Sequence, residues 1–117
     1  MHADDLADAC AFLPRLENPP DLVNVGCGTD VTIRELVEQV AEVVGFLGKI
    51  VWDASKLDGS PRKLLDTTQM NSLGWKPRVS LKEGLAQTYQ TFLEEARAGK
   101  LRGWLDARRI VMFLCVF

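Results

Sequence analysis

The most constraining feature of the sequence is a self-contained helix signal between Val31 and Gly45. Thr32 and Glu35 form an S/T-x-x-E capping box, in which each side chain serves the other's backbone N–H. Val31 and Leu36 stand at the staple positions around it. Ile33, Leu36, Val37, Val40, Ala41 and Val44 then recur at helical spacing, with Arg34, Glu38, Gln39 and Glu42 facing away. Gly45 occupies the position where a left-handed cap ends a helix. Every local cue agrees, and the apolar stripe is a packing face.

Around this helix the chain alternates between short apolar runs and further helices. An opening helix is expected over about Asp4 to Leu13, capped by Asp4, with Leu6, Cys10 and Leu13 on one stripe beside Ala9 and Phe12. Pro14 stops it, and Glu17 to Asp21 is a loop. His2 reads as a segment-edge residue. Leu22–Val25 is expected to form a short strand, and Ile50–Trp52 a second. Asp66 can cap a short helix from Thr67 to about Leu73, ended by Gly74 and followed by Trp75 as an apolar anchor. Ser80 and Glu83 form a second capping box, opening a helix that buries Leu81, Leu85, Tyr89, Phe92, Leu93 and Ala96. Strands alternating with helices predict an α/β class.

Gly26 and Gly28 follow the first expected strand, yet they make no dinucleotide fingerprint. That motif needs a third glycine where Val31 stands, so the two glycines are expected to give the backbone room to turn. From Ile110 to Phe117 every residue is apolar, far short of the roughly 20 residues that cross a bilayer. Such a run is expected to tuck into a groove, contact a partner or lie outside the ancestral domain.

At 117 residues the chain is one domain or a piece of a larger one. A net charge of -2 and a pI near 5.4 argue against a nucleic-acid or anionic-membrane surface. Cys10, Cys27 and Cys115 are odd in number, widely spaced and without a C-x-x-C pair, which fits free thiols in a reducing compartment. With a single histidine no His/Cys metal cluster is expected. Acidic residues stand where a leader would begin, so the expected location is cytoplasmic.

Candidate chemistry gathers in IVWDASKLDGSPRK, Ile50 to Lys63. Beyond the apolar run come an Asp58–Gly59 turn, Ser60, the fixed corner of Pro61, and Lys56, Arg62 and Lys63. A carboxylate, hydroxyls and several cations leaving a strand end can hold a sugar hydroxyl and a phosphate together. A solvated connector with a common turn sequence remains the alternative.

ADDLADA (3–9), LVNVGCGTDVTIREL (22–36), VVGFLGKIVWDASKLDGSPRKLLD (43–66), LGWKPRVSLKEGL (73–85) and TYQTFLE (88–94) together resemble the C-terminal part of the GDP-L-fucose synthase family. These are extended short-chain dehydrogenases/reductases. The likeness runs from His2 to about Glu95, and D-G-S-P-R-K before L-L-D, then L-G-W, is its most specific part. It implies a C-terminal substrate-side segment with the Rossmann half mostly missing. Residues 1–30 would be the Rossmann edge, 31–99 the substrate-binding segment and 100–117 an atypical apolar tail.

The resemblance implies NADPH-dependent 3,5-epimerisation and 4-reduction of GDP-4-keto-6-deoxy-D-mannose to GDP-L-fucose. Asp58 aligns with a position expected to bind the nucleotide sugar, and Lys63 and Arg62 are candidates for phosphate contact. No catalytic, NADP-binding or metal-binding residue is carried over. The family's glycine-rich NADP loop, its Ser/Tyr/Lys set and its epimerisation Cys and His have no counterpart, and Leu93 stands where Tyr89 would need its lysine. Leu57 replaces the family's usual proline. The isolated chain is therefore expected to be inactive, with a GDP-sugar as ligand and a homodimer or the missing N-terminal half as partner. Rival readings are a non-catalytic nucleotide-sugar-binding or interaction module, and an epimerase or dehydratase of another nucleotide sugar.

Overall fold

The computed structural model describes residues 1–53, 55 and 62–100. Lys56, Asp58 with its turn, Ser60, Pro61 and the 110–117 run lie outside the described residues. Among the described residues four α-helices follow one another: α1 (Ala3–Phe12), α2 (Ile33–Val44), α3 (Thr68–Ser72) and α4 (Leu81–Arg97), with a 3₁₀ turn at Leu13–Arg15 after α1.

The two capping boxes form as the sequence predicts. The Thr32 hydroxyl accepts from the Glu35 N–H, and Glu35 accepts from the Thr32 N–H at 2.7 Å. Ser80 and Glu83 repeat the arrangement at α4. Gly45 closes α2 in the left-handed region, φ 71°. Its Cβ-free geometry suits that conformation, and its N–H reaches the Ala41 and Glu42 carbonyls. Asp66 accepts from the Thr68 N–H at 2.9 Å, but the N-cap of α3 is Thr67, whose side chain makes no capping bond, because the helix begins one residue later than expected.

Neither expected strand forms. Leu22–Val25 and Ile50–Trp52 belong to no helix or sheet, and no strand occurs among the described residues. A strand requires a neighbour with which to exchange ladder hydrogen bonds, and neither segment makes such bonds with another described segment. The side-chain alternation survives nonetheless. Leu22 and Asn24 are exposed, while Val23 and Val25 pack against the core.

The opening helix also departs from expectation. His2, not Asp4, is its N-cap, with Nδ1 accepting the Asp4 N–H at 3.3 Å. Asp4 lies within the first turn, where its charge still suits the helix dipole. The buried face runs through Asp5 and Ala9 to Phe12 and Leu13, whereas Leu6 and Cys10 are exposed. A small residue at Ala9 lets the core approach the helix closely.

That core consists of Ala9, Met70 and Trp75, with Phe12, Leu13, Val23 and Val25 packed on it. It joins α1 and the 23–25 segment to α3 and the chain just beyond. Separately, α2 contacts α4. Their apolar stripes are half-buried, including Leu36, Val37 and Val40 on α2 and Leu85, Tyr89, Phe92 and Leu93 on α4. Leu81, expected to be buried, is exposed because it sits in the first turn, at the edge of that contact. Lys82 bridges to Glu42 at 2.7 Å, which brings the start of α4 beside the end of α2.

Candidate functional site

The turn before α2 lies against the chain at 65–67 that follows the expected loop. Gly28 has φ 70°, and a Cβ there would lie 2.7 Å from the Thr67 hydroxyl oxygen. Gly26 packs against Leu65 and Thr67, with its virtual Cβ 3.4 Å from the Thr67 methyl. The glycine turn therefore seats the returning chain at 65–67, as a turn with room rather than a phosphate cradle.

Two residues past Gly28, Asp30 receives Arg62 in a bidentate fork. The Arg62 Nε donates to Oδ2 at 2.7 Å and Nη2 to Oδ1 at 3.1 Å. This fork holds the Asp30 carboxyl below the usual aspartate range and raises Arg62 further above its already high value. Both remain ionised at any ordinary pH. Within the first turn of α2, the Arg34 guanidinium lies 4.7 Å from the Trp52 ring centroid. Asp53 closes a local turn, accepting from the Ser55 N–H at 2.9 Å and its hydroxyl at 2.6 Å. These bonds lower its carboxyl below the ordinary range and commit one oxygen.

The expected site residues are thus placed unevenly. Arg62 is described and already paired, Lys63 is exposed immediately after it, and Asp58 lies outside the described residues. Among the described residues the fork to Asp30 uses two of the five guanidinium N–H groups. Exposed apolar side chains border these groups: Val31 and Ile33 beside the α2 cap, Val51 and Trp52 on one leg, Leu64 and Leu65 on the other. Sequence reasoning missed Asp30 and Arg34. Each pairs with a residue far along the chain, and no periodicity links them.

A second polar cluster lies at the α1 seam. Asp5 is only 4% exposed and accepts the Arg78 and Val79 backbone N–H groups, both at 3.0 Å. The Arg78 bond is the chief cause of its lowered carboxyl. Asp8, one turn on, accepts the Trp75 indole N–H at 2.8 Å and an Arg78 N–H at 2.9 Å, the indole being the chief cause of its own lowering. A cleft of about 350 Å³ opens there, lined by Asp8, Phe12, Arg15, Trp75, Lys76 and Arg78 among others, and shares no residue with the expected loop. Asp5 commits both carboxylate oxygens, and Asp8 its Oδ2, to tying α1 to the approach of α4.

Among the described residues no group of three His, Cys, Asp or Glu side chains could hold a metal ion, and no helix is long and apolar enough to cross a membrane. Cys10 and Cys27 are free and exposed.

No protein-family model matches the chain. Curated relatives do. GDP-L-fucose synthase 1 of Arabidopsis thaliana is 56% identical over 94 residues, covering 80% of this chain and 29% of the relative. GDP-L-fucose synthase of Escherichia coli K12 is 50% identical over 103 residues, covering 80% of this chain and 32% of the relative. The chain thus spans about three tenths of the length of the curated relatives it matches. Among solved structures, a GDP-mannoheptose C4 reductase from Campylobacter jejuni with NADP bound aligns at TM-score 0.69 and 33% identity, over 80% of this chain and 30% of that one. A GDP-6-OMe-4-keto-L-xylo-heptose reductase from the same organism aligns at TM-score 0.70 and 30% identity, over 81% and 30%.

Proposed function

Because four fifths of this chain is homologous to the C-terminal part of GDP-L-fucose synthases, we propose that it is the substrate-side segment of an NADP-dependent epimerase-reductase. The substrate is a GDP-linked 4-keto-6-deoxymannose. Its ketone acidifies the neighbouring C–H bonds, so an acid/base pair can invert those centres before the ketone is reduced. This chain's part is to bind and orient. Asp58 accepts hydrogen bonds from substrate hydroxyl or amide groups, while Lys63 and Arg62 meet the phosphates. The carrying observation is the level of similarity. Identity of 50% and 56% to the two fucose synthases, against 30% and 33% to the two heptose reductases, favours the fucose-type substrate.

NADPH supplies the hydride to such an enzyme, but the described residues do not fit it. The Gly26–Gly28 turn is packed against Leu65 and Thr67, which leaves little room for a pyrophosphate beside it. The exposed Val31, Ile33, Val51, Trp52, Leu64 and Leu65 are read as the surface that a nucleotide-binding half covers, in a cytoplasmic enzyme.

Titration calorimetry of this chain with GDP-L-fucose tests the reading. Weak binding is expected, and Asp58→Ala should reduce it. Incubation with NADPH and the keto-sugar should give no turnover. A folded protein that produces no heat with GDP-L-fucose would sink the reading.

The second reading, reduction of a different GDP-sugar, is favoured by the two heptose reductases. A GDP-mannoheptose that binds more tightly than GDP-L-fucose would select it.

A further inference from the structure

We propose that the cleft at the α1 seam binds a diphosphate group, with Arg15, Lys76 and Arg78 as its contacts. The inference stands apart from the GDP-sugar reading, because the cleft and the expected loop have no residue in common.

At about 350 Å³ the cleft falls at the lower end of the range that small-molecule sites occupy. Its wall carries Arg15, Lys76 and Arg78 against one carboxylate, Asp8, in a chain whose net charge is -2. The positive charge is therefore a local concentration that runs against the composition, and a cleft lined by one sign of charge gathers counter-ions. Asp8 offsets only part of it. Its Oδ2 is already shared by the Trp75 indole N–H at 2.8 Å and the Arg78 Nη2 at 2.9 Å. The C-terminal end of α1 adds about half a negative charge, which still leaves the wall positive. A ligand with two or more negative charges matches such a wall. A diphosphate also offers several oxyanion acceptors, enough to meet cations from two segments at once.

The cations are presented on stiff backbone. Pro14 precedes Arg15 in the 3₁₀ turn, and Pro77 stands between Lys76 and Arg78. Proline fixes φ at about −65°, and the Arg78 backbone N–H is tied to the buried Asp5 at 3.0 Å. Trp75, a core residue, and Phe12 complete the wall between them. Groups held in place before a ligand arrives lose less freedom on binding it. Folding uses Arg78, through Asp5 and Asp8, but gains little from the exposed Arg15 and Lys76.

Titration of the whole 117-residue chain with inorganic pyrophosphate, followed in ¹⁵N-edited spectra, tests this. The reporter is the Trp75 indole N–H, whose acceptor Asp8 also holds Arg78. A saturable shift is expected, and Arg15→Gln/Lys76→Gln should raise its Kd about tenfold. Arg15→Lys/Lys76→Arg, which keeps both charges, should retain most of the affinity. Lys82→Ala removes a cation paired with Glu42 elsewhere and should bind like wild type. GDP-L-fucose in a parallel titration distinguishes the sources of the group. A Trp75 shift would assign the cleft to the diphosphate of a nucleotide sugar, and its absence beside a pyrophosphate response would assign it to free diphosphate. No saturable Trp75 shift with pyrophosphate overturns the proposal, as does an unchanged Kd in Arg15→Gln/Lys76→Gln. An equal shift from sodium chloride at matched ionic strength also overturns it, as simple screening of the Asp8–Arg78 contact.

Discussion

The α1 seam and the α2 turn use the same chemistry, an aspartate facing an arginine, in opposite settings. At the seam Asp5 is buried and spends its carboxylate on two backbone N–H groups, while Asp8 takes an indole and a guanidinium around the core residue Trp75. At the α2 turn Asp30 and Arg62 meet in solvent, with exposed apolar side chains flanking them along the chain. The contrast separates two uses of charge. Where removal of a partner would strand a buried N–H, the carboxylate serves folding. Where water can replace the partner, folding gains little.

The sharpest way to test the folding side is Trp75→Ala. It empties the centre of a core with three buried apolar side chains and takes the donor from Asp8, so a loss of about 3–5 kcal/mol is expected in denaturant unfolding. A chain this small can be left largely unfolded by such a loss. Melting like wild type would show that the α1 seam does not hold the fold.

Asp5→Asn follows in size. An amide retains one acceptor oxygen for two N–H donors and places its own NH₂ against the other, so Tm should fall by several degrees. The pH dependence carries the sign. Both seam carboxyls lie below the ordinary aspartate value in the fold, so their stabilisation is fully present above about pH 4 and is lost as pH falls through the folded values. Thermal melts should be level from about pH 7 to 5 and drop below about pH 4. The drop should be shallower in Asp5→Asn. An unchanged acid limb would place the sensitivity in other carboxyls.

The seam also marks where the sequence was readable and where it was not. Both capping boxes, Gly45 and the Trp75 anchor were legible because each signal is complete within a few residues. The expected strands failed because a strand depends on a neighbour that the segment itself does not encode. Asp4 was a reasonable cap for α1, but helix formation one residue earlier gave that role to His2 and turned Asp5 inward. Asp5–Val79 and Asp30–Arg62 span 74 and 32 residues, and at such separations nothing in a local pattern pairs one charge with another. The site was legible at Arg62 and Lys63 as a cluster of cations, though the pairing of Arg62 with Asp30 was not.

A pair of glycines grades the α2 side more finely. Gly45 and Gly28 have nearly the same backbone, φ 71° and 70°, but open space surrounds the first and Thr67 crowds the second. Gly45→Ala should cost about 1 kcal/mol, the left-handed strain alone. Gly28→Ala should cost more, because its Cβ would meet the Thr67 oxygen at 2.7 Å. Thr67→Ser/Gly28→Ala should not recover the difference, since the serine keeps that oxygen. Thr67→Ala/Gly28→Ala should recover part of it. Equal losses in the two single variants would mean that the 26–28 turn is not seated on the returning chain.

The smallest expected effect carries the most information about purpose. Asp30→Asn should leave Tm where it is at neutral pH, because Arg62 regains water as soon as the carboxylate is gone. The Asp30 carboxyl lies below its ordinary range, so whatever the fork contributes is present above about pH 4 and disappears as pH falls through the folded value. The Arg62 Nε–H resonance should hold its position from neutral pH down to about 4 and move only beneath that, and in Asp30→Asn this acid-limb movement should vanish. If Tm instead falls as it does for Asp5→Asn, the α2 pair is a folding contact like the seam. The distinction between a charge that holds the chain together and one whose partner water can replace would then dissolve.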